Sequence, residues 1–348
     1  MRSRTARTST AQLVALTDHA APWAWAAVAL AVAACAPLVL GAFGLNLLIS
    51  IYVLGIGVLG LNLLSGVAGQ ISLGHAGFLL IGAYAQAILT TTYKLPTLPA
   101  IALAGLVAAA ASLVVGVPSL RLKGLYLAIT TLAFTFIVRH VVLFAEGLTR
   151  GSEGMPVEPL AVAGFSFKGD RRFYYAALAM LVLFVLATLN LMRTRIGRAW
   201  LAVRDHDIAA RAMGIDLTRY KLLAFGVSAF YAGVAGAMVA LQTRFINVDT
   251  FSVLVSIEAL AMVIVGGMGR VHGALLGTAL IVLLPETLSA VFALGGDGLK
   301  TLMADRIYEV KGLMYGVVIL LFLRLEPEGL AGVWRKVKRY WVQWPLSQ

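Results

Sequence analysis

An all-α integral membrane protein is the fold class this sequence predicts, and three observations predict it. Hydrophobic residues make up 60% of the 348-residue chain and charged residues 13%, with mean hydropathy +0.90, against roughly half and a quarter in a soluble domain. Apolar runs of about 17 to 25 residues, the length of helix that crosses the hydrocarbon, recur from Pro22 to Arg324 with short polar breaks. The alternating strands of about ten residues that mark a membrane barrel do not appear in the sequence.

Taken in chain order, residues 1–21 carry Arg2, Arg4 and Arg7 with no convincing cleavage site after them, and read as a retained cytoplasmic tail. Spans follow at 22–41, 44–64, 76–92, 98–117, 124–146, 174–192, 221–242, 253–267, 273–294 and 312–325, about ten transmembrane helices within 22–325. An extended outer loop at 147–173, a polar loop at 193–220 and a second tail at 326–348 complete the chain. With both termini in the cytoplasm, the inner segments hold eighteen Arg/Lys and the outer ones nine, seven of the former between Arg193 and Lys221. That excess is what the positive-inside rule requires of a multi-pass protein. It also accounts for the net charge of +12 better than nucleic acid does, since the basic residues are not gathered with aromatics on one domain. The single Cys35 lies inside an apolar run, which rules out a disulfide framework within the chain and predicts a small core residue.

Two segments interrupt the pattern. Residues 65–77 read SGVAGQISLGHAG and residues 265–277 read VGGMGRVHGALLG. Broken backbone at membrane depth is tolerated only where protein or a water-filled path satisfies it, and interrupted spans are the best sequence pointers to a transport path. Both contain Gly-x-x-Gly-polar followed by a His.

Polar residues in the spans are the candidates for function. Gln70, Ser72 and His75 occupy the first break; His75 reads either as a proton relay or as a brace for the backbone. Thr131, Thr135 and Arg139 recur at i, i+4 and i+8 on one helical face. They line a pathway, or the threonines bond back to their own helix while Arg139 snorkels or finds a partner. Glu258 stands in the short eighth span, and Arg139 is a partner of suitable type. Asn46 and Asn62 suit interhelical hydrogen bonds, and the Ala229/Gly233/Ala237 and Ala232/Gly236 spacings suit close helix packing.

No catalytic or metal-ligand constellation is present in the sequence. Gly298-Leu299-Lys300-Thr301 resembles the end of a phosphate-binding loop but has the wrong spacing, so ATP hydrolysis is not expected of this chain. In the polar loop, a helix read from Gly197 onward places Arg204, Asp207 and Arg211 on one face beside an apolar stripe of Leu201, Ile208 and Ala212. Such a helix lies along the membrane, either docking a partner or touching anionic lipid.

Residue order adds to this. Ile208-Ala209-Ala210-Arg211-Ala212-Met213-Gly214 matches the Ala-Ala-x-x-x-Gly core of the loop that ABC importer permeases insert into their ATPases. The whole block 197–238, GRAWLAVRDHDIAARAMGIDLTRYKLLAFGVSAFYAGVAGAM, resembles the permease family of branched-chain amino acid ABC importers, in particular the longer of its two paired permeases. So do LNLLSGVAGQISLGHAGFLLIGAY (61–84), RLKGLYLAITTLAF (121–134), LTRGSEGM (148–155), SIEALAMVIVGGMGRVHGALLG (256–277) and KGLMYGVVILLFLRLEPEGL (311–330).

The resemblance implies a ten-helix importer half of cobalamin-importer-like architecture in the bacterial inner membrane. It implies a second homologous permease, two cytoplasmic ATPases that bind ATP and Mg, and a periplasmic substrate-binding protein as partners, with no cofactor held by this chain. It carries Arg204, Asp205, Ala209, Ala210, Arg211 and Gly214 onto ATPase coupling. It leaves Gln70, Ser72, His75, Thr131, Thr135 and Glu258 as pathway candidates. Arg150 departs from the family, standing where Gly is frequent, and His272 with Ala274 replaces a common Trp and Pro. Members carry leucine-type amino acids, urea, short amides or aromatic acids. Two other classes compete: an ion-coupled secondary transporter relaying through His75, Glu258 or Glu286, and a passive channel for a small solute.

Overall fold

The computed structural model describes residues 21–120, 122, 124–162, 165–166, 169–293, 307–326 and 328–343. The basic tail before residue 21 and the Gly298-Leu299-Lys300-Thr301 stretch lie outside the described residues.

Apolar residues of high helix propensity dominate, and in hydrocarbon a helix satisfies every backbone group internally, so helix follows helix. Helix α1 (Ala21–Val39) precedes α2 (Ala42–Leu61), which runs into a π-helical turn, Asn62–Val67. After the first break come α3 (His75–Thr91), α4 (Thr97–Ser119) and α5 (Leu125–Phe144). A long loop then leads to α6 (Asp170–Arg193), and the polar loop holds α7 (Arg195–Asp205) and α8 (Asp207–Ala212). The chain continues with α9 (Leu217–Thr243), α10 (Val253–Gly266), α11 (Val271–Ala293), α12 (Ile307–Leu325) and α13 (Gly329–Gln343).

Among the described residues, five helical stretches are long and apolar enough to cross a membrane: Ala42–Val67, Thr97–Pro118, Leu125–Phe144, Asp170–Arg193 and Leu217–Thr243. They coincide with predicted runs, and α1, α3, α10, α11 and α12 occupy the other five. The chain is an all-α membrane protein. Burial sorts the helices: 78% of the apolar window of Ala42–Val67 and 67% of that of α9 is inside the protein, against 28% for α6. Helix α2 is the hub, touching α6, α9, α10 and α11, while α9 packs across α3 and α4. Apolar residues such as Val114, Ile137, Val141 and Leu183 face outward, as a bundle surrounded by lipid tails allows. Cys35 belongs with them: it is exposed, not in the core, because α1 packs mainly on α6 and leaves its other faces uncovered.

Close backbone approach holds the centre together. A Cβ on Gly82 would collide with the Gly233 carbonyl, and one on Gly236 with the Leu79 carbonyl. The small-residue faces expected of α9 are therefore where it meets α3 and α4.

The loop between α5 and α6 carries a short helix, Glu146–Thr149, and strand β1 (Met155–Pro156). A β2–β3 hairpin (Ala161–Val162, Phe165–Ser166) follows, and β1 pairs antiparallel with β4 (Phe245–Ile246) just after α9. Arg150, where the family frequently has Gly, sits at φ 59°, the left-handed region that glycine enters without cost. The tail from residue 326 is more than a tail: it contains α13.

Gly236→Ala should destabilise the protein by about 2 kcal/mol through overpacking, read as a lowered Tm in detergent. Gly226→Ala on the same helix meets only Ser112 Oγ at 4.0 Å and should be neutral or stabilising. Equal effects at both sites would count against backbone contact as the packing device.

Candidate coupling and pathway site

The polar loop is locally well specified. Thr194 caps α7, its Oγ1 accepting from the amides of Ile196 and Gly197 at 3.2 and 3.4 Å. Trp200 is fully buried and donates Nε1–H to the Tyr220 carbonyl at 2.8 Å, which pins α7 to the start of α9. His206 is extended (φ −159°, ψ 98°), so α7 stops and α8 begins again at Asp207. Helix α8 closes through Ile215 N–H to the Ala210 carbonyl and Gly214 N–H to the Arg211 carbonyl, a Schellman turn. Gly214 takes φ 84° there with open space around it, so its backbone freedom is what the turn needs.

This corrects the expected continuous amphipathic helix. The His206 interruption shifts the helical phase, and the buried face becomes Ala199, Trp200, Val203 and Ala210. Leu201 is 39% and Ile208 73% exposed, with Met213 at 84%. Asp205 and Ala209 lie on exposed turns, and Arg211 faces outward.

Arg204, in the last turn of α7, points the other way. Its guanidinium donates to the Gly66 carbonyl in the π-helical turn. A Cβ on Gly69 (φ 71°) would lie 2.9 Å from Arg204 Cγ, and one on Gly269 (φ 82°) 3.1 Å from Arg204 Nη1. The two glycine-rich breaks thus meet around one arginine. Asn62 fastens them together, its Oδ1 accepting from Gly269 N–H at 2.7 Å and its Nδ2 donating to the Arg270 carbonyl at 3.3 Å.

Side chains of the first break itself and of neighbouring helices support the rest of it. Ser65 Oγ donates to the Gln70 carbonyl at 3.1 Å, and the Gly74 amide donates to Ser72 Oγ at 3.2 Å. Thr131 Oγ1 accepts from the Leu73 amide at 2.9 Å while donating to Ala128 in its own helix. Thr135 is fully buried and bonds back to Thr131. Ser256 Oγ accepts from the Ala76 amide at 2.9 Å, serving the open start of α3. His75 is buried where α3 meets α2 and α9: a Cβ on Gly57 would lie 3.0 Å from its Nε2.

The suggested Arg139–Glu258 pair does not form. Arg139 pairs with Asp249 at 2.9 Å, and Glu258 hydrogen-bonds the Tyr315 hydroxyl. Arg139 lies on α5 near Asp249 in the turn before α10, while Glu258 lies on α10, which packs against α12.

Among the described residues, the buried side-chain atoms without a hydrogen-bond partner are Gln70 Nε2, Tyr84 Oη, and Nε2 and Oε1 of Gln86. All lie on the first break or on α3. Sequence reasoning passed over Tyr84, Gln86 and Ser256. Gln86 stands in a strongly apolar run, and that setting was the available signal.

Interrupted helices stitched by buried polar side chains in an apolar bundle are the architecture of a membrane transport protein. The chain belongs to the family described as branched-chain amino acid transport system / permease component, whose model matches residues 43–323. It is 36% identical over 296 residues to the high-affinity branched-chain amino acid transport system permease protein LivM of Salmonella typhimurium, and 35% to that of Escherichia coli. Each alignment covers 78% of this chain and 66% of the relative, so the chain spans slightly less than two thirds of those proteins. The ribose import permease protein RbsC of Bacillus subtilis is 26% identical over 182 residues, 50% of this chain and 53% of that one. No solved structure matches.

Asn62→Ala leaves the half-buried Gly269 amide and Arg270 carbonyl without their partner and should cost about 2 kcal/mol, measured as a drop in Tm of the purified protein. Asn46→Ala, at an exposed position, should change stability by less than about 0.5 kcal/mol.

Proposed function

We propose that this chain is the membrane-spanning permease subunit of an ATP-driven importer for branched-chain or other hydrophobic amino acids, or a related small solute. It works in a bacterial inner membrane with its termini in the cytoplasm. It pairs with a second homologous permease, two cytoplasmic ATPases that carry ATP and Mg, and a periplasmic substrate-binding protein. About ten helices in a cobalamin-importer-like arrangement form the transmembrane unit.

The observation that carries this reading is the Arg204 junction. Helix α8 offers Ile208 and Met213 outward as apolar knobs, with Asp205, Ala209, Ala210, Arg211 and Gly214 shaping the turn around them. The adjoining α7 is bonded by Arg204 to the first break and lies against the second at Gly269. A push on α8 from an ATPase is thereby delivered to interrupted backbone, the part of a bundle with two packings close in energy. A uniform helix would offer no such target.

The pathway runs beside the first break and α3. Gln70, Ser72, His75, Thr131 and Thr135 supply its polar groups, joined by Tyr84 and Gln86, while Glu258, turned toward Tyr315 of α12, stands apart from them. A buried amide without a partner costs about 1–3 kcal/mol, and its retention on α3 suits a surface that meets polar solute during transport. Thr131 and Ser72 also brace the break, so they hold its shape as well as line it.

Uptake into vesicles holding this chain with its partner permease, ATPases and binding protein should require ATP. Arg204→Met and Gly214→Val should each lower it at least about tenfold, the scale of a coupling energy near 1.4 kcal/mol, with membrane insertion unchanged. Uptake driven by an ion gradient through this chain alone would instead establish a secondary transporter. Gln86→Met should raise Tm by relieving the orphaned amide while lowering uptake; a fall in both would mark Gln86 as packing.

A further inference from the structure

The described residues also hold a groove of about 760 Å³ between the start of α11 and helix α13, lined by none of the pathway candidates. Leu275 and Leu276 line one side, Trp334 the other, and Arg270, His272 and Arg335 stand at its polar end. Leu276 is 47% and Trp334 62% exposed. Leu276 and Leu283 lie seven residues apart on one face of α11 and both are exposed, so the apolar wall runs on along the side of the bundle.

Helix α13 supplies the charge. Its sequence GLAGVWRKVKRYWVQ has four basic residues and no acidic one. A helical projection sets Val333, Trp334 and Val337 apart from Arg335 and Lys336. Val333, Trp334 and Val337 are exposed, so these apolar side chains are not consumed by packing on the protein. An amphipathic helix with aromatics on one face and Lys/Arg on the other belongs in the interface plane of a bilayer. Glu328 sits between Arg270 and Arg335 and pairs with both, so two cations share one carboxylate and the polar end keeps a net positive charge.

We propose that this groove binds an anionic phospholipid of the surrounding bilayer. The phosphate sits at Arg270 and Arg335, Trp334 lies at the level of the headgroup, and an acyl chain runs along Leu275 and Leu276. The occupant is lipid because the wall continues an outward apolar face while the charge gathers at one end, matching a molecule with an anionic head and an apolar tail. The binding is independent of whether the chain transports anything.

The test is native mass spectrometry of the full-length chain in mild detergent, with phosphatidylglycerol or phosphatidylcholine of identical acyl chains. Wild type should retain phosphatidylglycerol at least about fivefold better, the worth of one basic residue at a membrane surface, and lose that preference in high salt. Arg335→Gln should reduce the preference about fivefold, and Glu328→Gln, which removes the competing carboxylate, should increase it. Trp334→Ala should weaken retention of both lipids, and Lys94→Gln in an outer loop should change nothing. Arg335, Trp334 and Glu328 are all exposed, and unchanged Tm values would show the variants folded. Equal retention of the two lipids by wild type overturns the proposal, as does a preference indifferent to both Arg335→Gln and Glu328→Gln. Inorganic phosphate binding as well as the lipid, or a photo-crosslinker at Trp334 capturing a protein subunit in place of lipid, would also overturn it.

Discussion

The contact between the Arg204 guanidinium and the Gly66 carbonyl orders the architecture around it. A helix interrupted within an apolar bundle leaves amides and carbonyls without helical partners, and each one buried unsatisfied costs several kcal/mol. The protein meets that demand by bringing its two interruptions together. Asn62 serves a donor and an acceptor of the second break at once, while Arg204 serves the first from a loop outside the bundle. The glycines at 66, 69 and 269 are what make such proximity possible, since a Cβ at any of them would meet Arg204 or the opposite backbone. Gly329 continues the chain of contacts, its backbone lying against Gly267, so α13 abuts the same knot.

Around this knot the bundle is rigid where backbones touch and costly where polar groups lack partners. Helices α3, α4 and α9 meet through glycine and alanine, which leaves little room for independent sliding. On α3 itself, Tyr84 and Gln86 keep polar atoms unpaired in the interior. A protein selected only for stability would lose them, because replacing an unsatisfied buried amide by an apolar group removes its desolvation cost. Their place on the helix that begins at the break joins the energetics of the fold to its proposed transport role.

The charged surfaces divide by the company they keep. Basic residues of α7 and α8 stand beside exposed Ile208 and Met213 on a short, tightly closed turn, a shape suited to a protein pocket. Those of α13 accompany exposed Val333, Trp334 and Val337 along a longer helix beside an outward apolar wall, a shape suited to a bilayer surface. Both are basic, and charge alone does not separate them.

Much of this was legible in the sequence. The hydrophobic cost of a span is local and summed residue by residue, so composition and run length located the helices, and the glycine clusters at 65–77 and 265–277 located the breaks. Residue order in 197–238 identified the family. Partnerships were not legible: Arg139 with Asp249 is 110 residues apart, Ser256 with the Ala76 amide 180, and Asn62 with Gly269 207. Such pairs depend on which helices become neighbours, and apolar helices of similar composition do not announce that in their own residues. The phase of the polar loop was hidden too, because one extended residue at His206 turns the predicted stripe outward. Sequence by itself determined the class of protein, its family and the places where helices break; only the tertiary structure decided that both breaks close on one arginine, because buried backbone must find its partners wherever packing brings them.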